Sequence, residues 1–562
     1  MRTDRLYHLP LLLLCTLPSA IAVPEQHVLQ ALDPLPLEHG QKPLDDERDV
    51  SGTRGTLPAF LDALDVLQAE YFQDWQGLWP DGIDWTSAVI GTYVSASLNT
   101  ISTSFSSLSS SPKFNENLIN RYFSQLVAYY FGQDAFALRQ EAYDDILWVV
   151  LGWLESIKFI NKHSEMHYTN GYWYGRQWIP AFAHRARVFW DLASQGWNTS
   201  LCGGGMIWSP WLVPYKNAIT NELFISASIS MYLYFPGDDN ASPFMSYQSL
   251  SDNKTTADWP GGPKDPKYLA AAIEAYKWLN TSNMTDSSGL YVDGYHISGW
   301  ARNNSNNTRC DERNEMVYTY NQGVLLSGQR GLYEATGAKS YLHDGHALTQ
   351  STIAATGWDL ESQAPHSDNT LGKWNGLGRV GIMEDTCDAS GTCSQDGQTF
   401  KGIFFHHLTL FCARLPDHLV LPDDQAAIHT RGALAEIKKW HDAQCATYGP
   451  WIQHNANAAL ATRNREGKFG MWWGEKEHAP DDDTVIETPA GAVDYRNLDM
   501  PEPWKKNTGV KTYEHEQHTR KDSGVDINKD RNDRNRGRTV ETQGGGIAVL
   551  RAMWEVVDSR HA

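Results

Sequence analysis

Ile146-Leu147-Trp148-Val149-Val150-Leu151-Gly152-Trp153-Leu154, entered through Tyr143-Asp144-Asp145, is the stretch on which the fold turns. A helix written this way is apolar on every side, so it belongs inside a larger helical assembly rather than on its surface. Helical spacing continues on both flanks. Leu61, Leu64, Leu67 and Tyr71 recur at three and four, the pattern of one buried helix face. Similar runs at 85–106, 116–131, 141–160, 178–194, 217–234, 267–281, 316–336, 339–355, 400–415, 425–444 and 545–558 bring the total to about a dozen helices. Alternating strand patterns and a βαβ rhythm are scarce, and no fixed internal period marks a solenoid. The sequence therefore predicts an all-α toroid of six helical hairpins. Its inner helices line a central cleft, and long aromatic, glycine-rich loops such as Gly171-Tyr172-Trp173-Tyr174-Gly175 connect them.

The ends read differently. Arg2 and Arg5 precede an apolar run from Leu9 to Leu17, and Ala20-Ile21-Ala22 offers a small-x-small cleavage site. Residues 1–22 are thus expected to be a secretory signal peptide, too short to span a bilayer. No later transmembrane stretch is evident, and the polar end Val556-Val557-Asp558-Ser559-Arg560-His561-Ala562 carries no lipid-anchor signal. Secretion is expected, to the extracellular space or a cell wall. Residues 23–56 read as a flexible leader, 57–480 as the main helical domain, 481–541 as a polar, largely disordered insertion, and 542–562 as a final helix. Cleavage at Ala22 removes Cys15 and leaves Cys202, Cys310, Cys387, Cys393, Cys412 and Cys445. An even count suits disulfides in an oxidising compartment, with Cys387–Cys393 the favoured local pair. Sequons at Asn198, Asn240, Asn253, Asn280, Asn283, Asn303 and Asn306 fit a glycosylated secreted protein.

Composition narrows the partners. Lys and Arg total 47 against 67 Asp and Glu, a net charge of −20. That balance argues against nucleic acid and against an anionic membrane surface. The 22 Trp, 25 Tyr and 18 Phe supply flat faces with polar edges, which serve equally as sugar platforms or as a large aromatic core.

Most paired acids here lie beside Pro, Gly or Asn, as solvated loop or cap residues do. Asp144-Asp145 opens the strongly apolar run instead, where desolvation is costly unless function holds the charge. Two carboxyls of this kind suit retaining glycoside hydrolysis, with one as nucleophile and the other as acid and base; Asp is also favoured as a plain N-terminal cap. Tyr143-Asp144-Asp145-Ile146-Leu147-Trp148, Tyr215-Lys216-Asn217-Ala218-Ile219-Thr220-Asn221-Glu222-Leu223, Tyr318-Thr319-Tyr320-Asn321-Gln322-Gly323 and Phe400-Lys401-Gly402-Ile403-Phe404 follow one another in that order. This set resembles glycoside hydrolase family 76, the fungal and bacterial endo-α-1,6-mannanases, over roughly residues 57–475 and the last helix. The resemblance implies an (α/α)6 barrel, a retaining mechanism and α-1,6-linked mannan as substrate. It also implies Asp144 as nucleophile, Asp145 as general acid and base, and a place for Gly203-Gly204-Gly205 in a loop at the cleft.

The other motif residues read as substrate contacts. Asn217, Asn221, Asn321 and Gln322 offer donors and acceptors to sugar hydroxyls, with Asn217 and Asn221 one helical turn apart. Trp148 and Tyr320 offer stacking faces, and Lys401 a cation that pairs with an acid or snorkels. Caps, core packing and snorkelling are the competing structural readings of these same residues. His406-His407 lacks a spaced partner for metal ligation, so no metal and no cofactor are expected, and a monomer is expected. Two alternatives stand beside the hydrolase: a cell-wall transglycosidase acting on mannan-bearing glycans, and a non-catalytic mannan-binding protein.

Overall fold

In a computed structural model of the chain, the 146–154 run is buried from end to end. The structure describes residues 55–108, 110–240, 262–300, 306–366, 373–422, 431–477, 486, 488–497 and 530–560. The expected signal peptide, nearly all of the leader, the sequons Asn253 and Asn303, and residues 505–529 lie outside the described residues. Everything below belongs to the unit Arg54–Ala562.

Among the described residues there are thirteen α-helices of more than one turn: α1 (Thr56–Val66), α2 (Asp84–Thr103), α3 (Pro112–Gly132), α4 (Tyr143–His167), α5 (Ile179–Ala193), α6 (Ala218–Tyr234), α7 (Pro266–Thr281), α8 (Val324–Thr336), α9 (Ser340–Ala354), α10 (Gln395–Cys412), α11 (Arg431–Thr447), α12 (Gly449–Ala461) and α13 (Val540–Ala552). The protein is all-α. Helices α2, α4, α6, α8, α10 and α13 pack in succession, and α13 returns to α2, so six helices close a ring of neighbours. Around them α3 packs on α2, α5 on α4, α7 on α6, and α9 on α8, while α1 and α12 both pack on α13.

Sequence chemistry explains the two layers. Ring helix α6 has a run from Ala218 to Ile229 that is buried at every position, so it contributes no wet face. Outer helix α7 buries Tyr268, Leu269, Ala272, Ala275, Tyr276 and Leu279, a three-four stripe with a polar back. Its entry is fixed by Asp265, whose carboxylate accepts the Lys267 N–H, with Pro266 at the first helical position. Where α10 crosses α13, a Cβ on Gly402 would sit 2.9 Å from the Gly545 Cα and 2.8 Å from the Tyr93 hydroxyl. Glycine is needed there for the two backbones to approach.

Short strands pin the loops. Tyr215–Asn217 (β1), Gly294–His296 (β2) and Glu312–Asn314 (β3) form an antiparallel sheet in the order β1-β2-β3, with Asn217 opposite Gly294 and Gly294 opposite Asn314. Three disulfides join Cys202 to Cys310, Cys387 to Cys393, and Cys412 to Cys445. The local pair read from the sequence is therefore present; the two longer pairings are not legible in the sequence. Among the described residues, no helix is long and apolar enough to cross a membrane.

Several boundaries differ from expectation. Thr56, placed in the leader, already begins α1. Helix α12 is absent from the sequence reading; Pro450 occupies its first turn, where the missing N–H is harmless. The expected insertion 481–541 also needs narrowing. Asn314 exchanges two hydrogen bonds with the Val493 backbone, at 2.8 and 2.9 Å. Asn532 is buried and accepts the Trp472 N–H at 2.7 Å. The last ring helix starts at Val540 rather than 542. Polar composition there reflects hydrogen-bonded loops, not only solvated chain.

Candidate active site

Acids gather at the N-termini of the ring helices. Asp84 and Trp85 open α2, Asp144 and Asp145 open α4, Asp396 opens α10 and Glu541 opens α13. Side chains tie these ends together. Trp85 Nε1 donates to Asp396 at 3.1 Å, while Thr86 Oγ1 and Gln395 Nε2 donate to Glu541 at 3.0 and 2.8 Å. Carboxylates at helix N-termini are favoured by the unpaired N–H groups and dipole found there.

Asp144 is buried and Asp145 is half-buried. Asp145 acts as a cap, its Oδ2 accepting the Ala142 N–H at 3.3 Å, while its own N–H donates to Asp144 Oδ1 at 3.2 Å. The other Asp144 oxygen faces a cation, with Arg496 Nη2 3.4 Å from Oδ2. Arg496 is held over the Trp208 ring, 5.0 Å from its centroid. Its backbone is fixed by Asp494, which accepts the N–H groups of Arg496 and Asn497 and the Tyr318 hydroxyl, the last at 2.7 Å. The Trp208 carbonyl also accepts the Tyr143 N–H at 2.8 Å, so one loop steadies both the start of α4 and the cation.

The two carboxyls are in unequal fields. Burial pushes Asp144 above the usual carboxylate range, opposed by Arg496 and by two backbone N–H groups. Asp145 is pushed well above that range by burial, then by the negative charges of Asp144, Glu141 and Asp396, with Arg496 only a minor opposing influence. Glu141 is itself raised by burial and by Asp84 beside it. Burial works against the charge on Arg496, but Tyr320, Asp144, Asp293 and Asp396 outweigh it and hold the guanidinium firmly protonated. Chemically, both carboxyls are raised, Asp145 more than Asp144, so Asp144 is the one that gives up its proton first.

The remaining sequence-chosen residues divide. Tyr320 adjoins this cluster, its ring stacked on Phe400 with centroids 3.9 Å apart, and its hydroxyl has no hydrogen-bond partner among the described residues. Asn321 neighbours Asp293, whose carboxyl is raised by burial and held back by Arg496, Tyr215 and Asn321. Asn217 is fully buried, with neither amide atom hydrogen-bonded among the described residues. The others are committed to the structure. Asn221 clamps the Met206 backbone, accepting its N–H at 2.7 Å, and donates to the Asn217 carbonyl at 2.8 Å. Gln322 likewise bonds the Tyr291 N–H and the Tyr291 and Tyr318 carbonyls. Trp148 is buried and stacked with Trp85, centroids 6.0 Å apart, a core ring rather than an open platform. Lys401 is buried in an ion pair with Asp388 at 2.6 Å.

His406 Nδ1 lies 2.9 Å from Arg551 Nη1, and His407 Nδ1 lies 2.8 Å from the Ser327 hydroxyl. Two clusters of metal-ligand residue types, His346-His441-Cys445 and Cys387-Asp388-Cys393, each contain cysteines committed to disulfides. Gly204 and Gly205 pack against Trp278. Of the sequons, Asn240, Asn280, Asn283 and Asn306 are exposed and Asn198 is half-buried.

Sequence reasoning missed Asp396 and Arg496. Asp396 had a signal, since Ser394-Gln395-Asp396 is an N-cap followed by an acid in the first turn. Arg496 had none, lying in a polar stretch where charge usually means solvent.

Together these features define an all-helical ring protein with a carboxylate-lined end. Residues 262–420 match the model for Glycosyl hydrolase family 76. Mannan endo-1,6-alpha-mannosidase DCW1 of Saccharomyces cerevisiae is 24% identical over 247 residues, 42% of this chain and 41% of the relative. DFG5 of the same yeast, also named mannan endo-1,6-alpha-mannosidase, is 22% identical over 244 residues, 42% of this chain and 41% of the relative. The matched region thus spans about two fifths of the length of these curated relatives. Among solved structures, the GH76A alpha-1,6-mannanase from Salegentibacter sp. HEL1_6 is 15% identical, covering 89% of this chain and 100% of that one, with a TM-score of 0.49. Dfg5 from Chaetomium thermophilum in complex with glucosamine is 12% identical, covering 92% and 93%, with a TM-score of 0.48. The family model and the curated relatives support glycoside hydrolase family 76 as the family of this chain.

Proposed function

We propose that the protein is a secreted, retaining glycosidase that cleaves internal α-1,6-mannosidic bonds of mannan. Asp144 is the nucleophile and Asp145 the general acid and base. The observation that carries this reading is the inequality of two adjacent carboxyls, with Arg496 on Asp144 and a crowd of acids around Asp145. Arg496 favours the carboxylate that must attack, and the negative surroundings of Asp145 keep the proton that a sugar leaving group needs.

In the first step, Asp144 attacks the anomeric carbon as Asp145 protonates the departing oxygen, giving a glycosyl-enzyme. In the second, Asp145, now the base, takes a proton from water, which attacks the same carbon and releases Asp144. Asn217, Tyr320 and Asn321 are proposed to contribute polar groups to the floor beneath the sugar. The substrate assignment is supported by the names of the curated relatives, and secretion by the amino-terminal pattern of Arg2, Arg5 and the apolar run after them.

The test separates the two acids. On mannan, Asp144→Ala and Asp145→Ala both lose turnover. With an aryl mannoside whose leaving group departs unaided, Asp145→Ala accumulates the covalent intermediate, and azide restores turnover with retained configuration. Azide on Asp144→Ala gives the inverted product. Substantial mannan hydrolysis by both variants would place the catalytic pair elsewhere. Adding glycan acceptors to the wild-type assay distinguishes hydrolysis from transglycosylation by the products formed.

A further inference from the structure

Behind the two candidate catalytic acids lies a third buried acid that the proposed mechanism leaves unused. Asp293 is 1% exposed and sits immediately ahead of β2. Its backbone is tied on both sides. The carbonyl accepts the Ala218 N–H, at the start of α6, at 2.8 Å, and the N–H donates to the Met316 carbonyl at 2.7 Å. The carboxyl is thereby delivered to a fixed place.

That place is where the two loops around Arg496 meet. Asp293 Oδ2 accepts the Tyr215 hydroxyl at 2.5 Å and the Asn314 amide at 3.3 Å. The Tyr215 carbonyl accepts the Trp208 N–H at 2.8 Å, and the Trp208 ring is the one beneath Arg496. Asn314 is bonded in both directions to the Val493 backbone, three residues ahead of Arg496. One carboxyl thus braces the ring beneath the guanidinium and the chain that delivers it. Its other oxygen, Oδ1, has no hydrogen-bond partner among the described residues, and Arg496 is the cation that acts on the group.

Two buried acids compete for charge here. Glu222 of α6 is fully buried and repelled by Asp293, and neither of its oxygens is hydrogen-bonded among the described residues. A charge on Glu222 would be uncompensated. The proton therefore stays on Glu222, and Asp293, with two donors and a cation, carries the charge. Asp494 is the other acid acting on Asp293. Tyr215, Tyr318, Tyr320 and Tyr495 also face it, and burial raises each of these hydroxyls, so they stay neutral.

We propose that Asp293 is a positioning residue for the nucleophile: as an anion it shares the Arg496 guanidinium with Asp144, and so limits how strongly that cation holds the attacking carboxylate. This role rests on the function proposed above. A carboxylate gripped by a cation attacks poorly, and sharing the cation keeps Asp144 ionised yet available.

The sign of a pH shift tests it. Asp293→Asn keeps the shape and an oxygen for the Tyr215 hydroxyl but removes the charge. Arg496 then acts on Asp144 unshared, and Asp144 gives up its proton more readily. The acidic limb of the kcat/KM profile on mannan should move to lower pH by about half a unit or more. Loss of Arg496 moves the same limb the other way, and in an Arg496→Gln background Asp293→Asn should no longer move it. Glu222→Gln exchanges one neutral group for another and should leave the limb in place. If Asp293→Asn does not fold, Asp293→Ser carries the same expectation.

A limb that stays put, or moves upward as it would on simple disruption of the loops, overturns the proposal. So does a shift in Glu222→Gln equal to that in Asp293→Asn, or an undiminished shift in the Arg496→Gln background. A measurement without turnover separates this proposal from the catalytic reading. In chemical denaturation near neutral pH, the effects of Asp293→Asn and Arg496→Gln on the folding equilibrium should fail to multiply. If they fail to multiply while Asp144→Ala still cuts mannan, Asp293 acts on Arg496 and the catalytic assignment falls. If they multiply while cleavage requires Asp144, the role of Asp293 falls alone.

Discussion

The two ends of helix α4 are opposites in how they treat charge. At its C-terminal end, His163 Nδ1 meets the Ser102 hydroxyl at 2.9 Å and its Nε2 lies 3.3 Å from Glu116. Glu116 also accepts the Tyr168 hydroxyl at 2.7 Å, and His167 meets the Ser102 carbonyl at 3.0 Å. Burial pulls the Glu116 carboxyl up, but the bonds from His163 and Tyr168 outweigh it and hold the group below its usual range. At the N-terminal end, Asp144, Asp145, Glu141, Asp84 and Asp396 are all raised, chiefly by burial, and Arg496 is the cation beside them. Only one end is arranged for stability. The other keeps acids where water would hold them better, which is what the proposed catalytic role asks of it.

The largest expected effect lies at the strained end. Asp144→Ala should lower kcat on mannan by about 10⁴-fold, the order expected on losing a nucleophile or its proton partner, whereas Glu116→Gln should leave kcat unchanged within error. Equal losses would erase the distinction between the ends.

Arg496→Gln is expected next. Without the cation the Asp144 carboxyl rises further, so the acidic limb of the kcat/KM profile should move to higher pH, with a loss of about 10²-fold near neutrality. An unmoved acidic limb in a folded variant would show that Arg496 does not set the ionisation of Asp144.

Stability should respond to pH with opposite signs. Asp145 binds its proton more tightly folded than unfolded, so it makes the folded state less stable as pH rises from the ordinary carboxylate range through its raised value. Asp145→Asn should remove that downward slope in Tm. Glu116 is the reverse: its contribution is present above the usual glutamate range and is lost as pH falls through its lowered value. Glu116→Gln should cost about 1–3 kcal/mol near neutral pH, read by chemical denaturation, and less in acid. The smallest effect is expected from residues 505–529. Replacing them with a short flexible linker should change mannan turnover by less than about twofold, because so polar a composition offers little apolar surface to bury. Residues 530–540 are excluded from that replacement because Asn532 and Arg534 bond to Trp472 and Ala389.

The ring was legible because burial writes itself into composition: a run apolar on all sides can only be interior. Asp144-Asp145 was legible for the same reason, as charge where charge is costly. Asn221 and Gln322 mislead because an amide suited to a sugar hydroxyl is equally suited to a loop backbone, and sequence does not distinguish the two. Lys401 and Arg496 make a complementary pair. Lys401, amid apolar residues, reads as a cation that pairs with an acid or snorkels, and its acid is Asp388. Arg496, amid polar residues, reads as solvated and reaches Asp144. A cation's role is set by which distant acid it meets, and that is a property of the closed ring.

Asp144 and Asp145 are consecutive residues in a single turn of α4. Their backbones are joined by one peptide unit, and that turn is bonded to Trp208 from outside and buried from within. The spacing between the two acids therefore cannot be altered by domain closure, hinge bending or breathing of the ring; only side-chain rotation is left to vary it. On the proposed assignment, substrate-driven adjustment falls to the surrounding loops and to the two side-chain torsions, while the backbone carrying both acids moves as one piece.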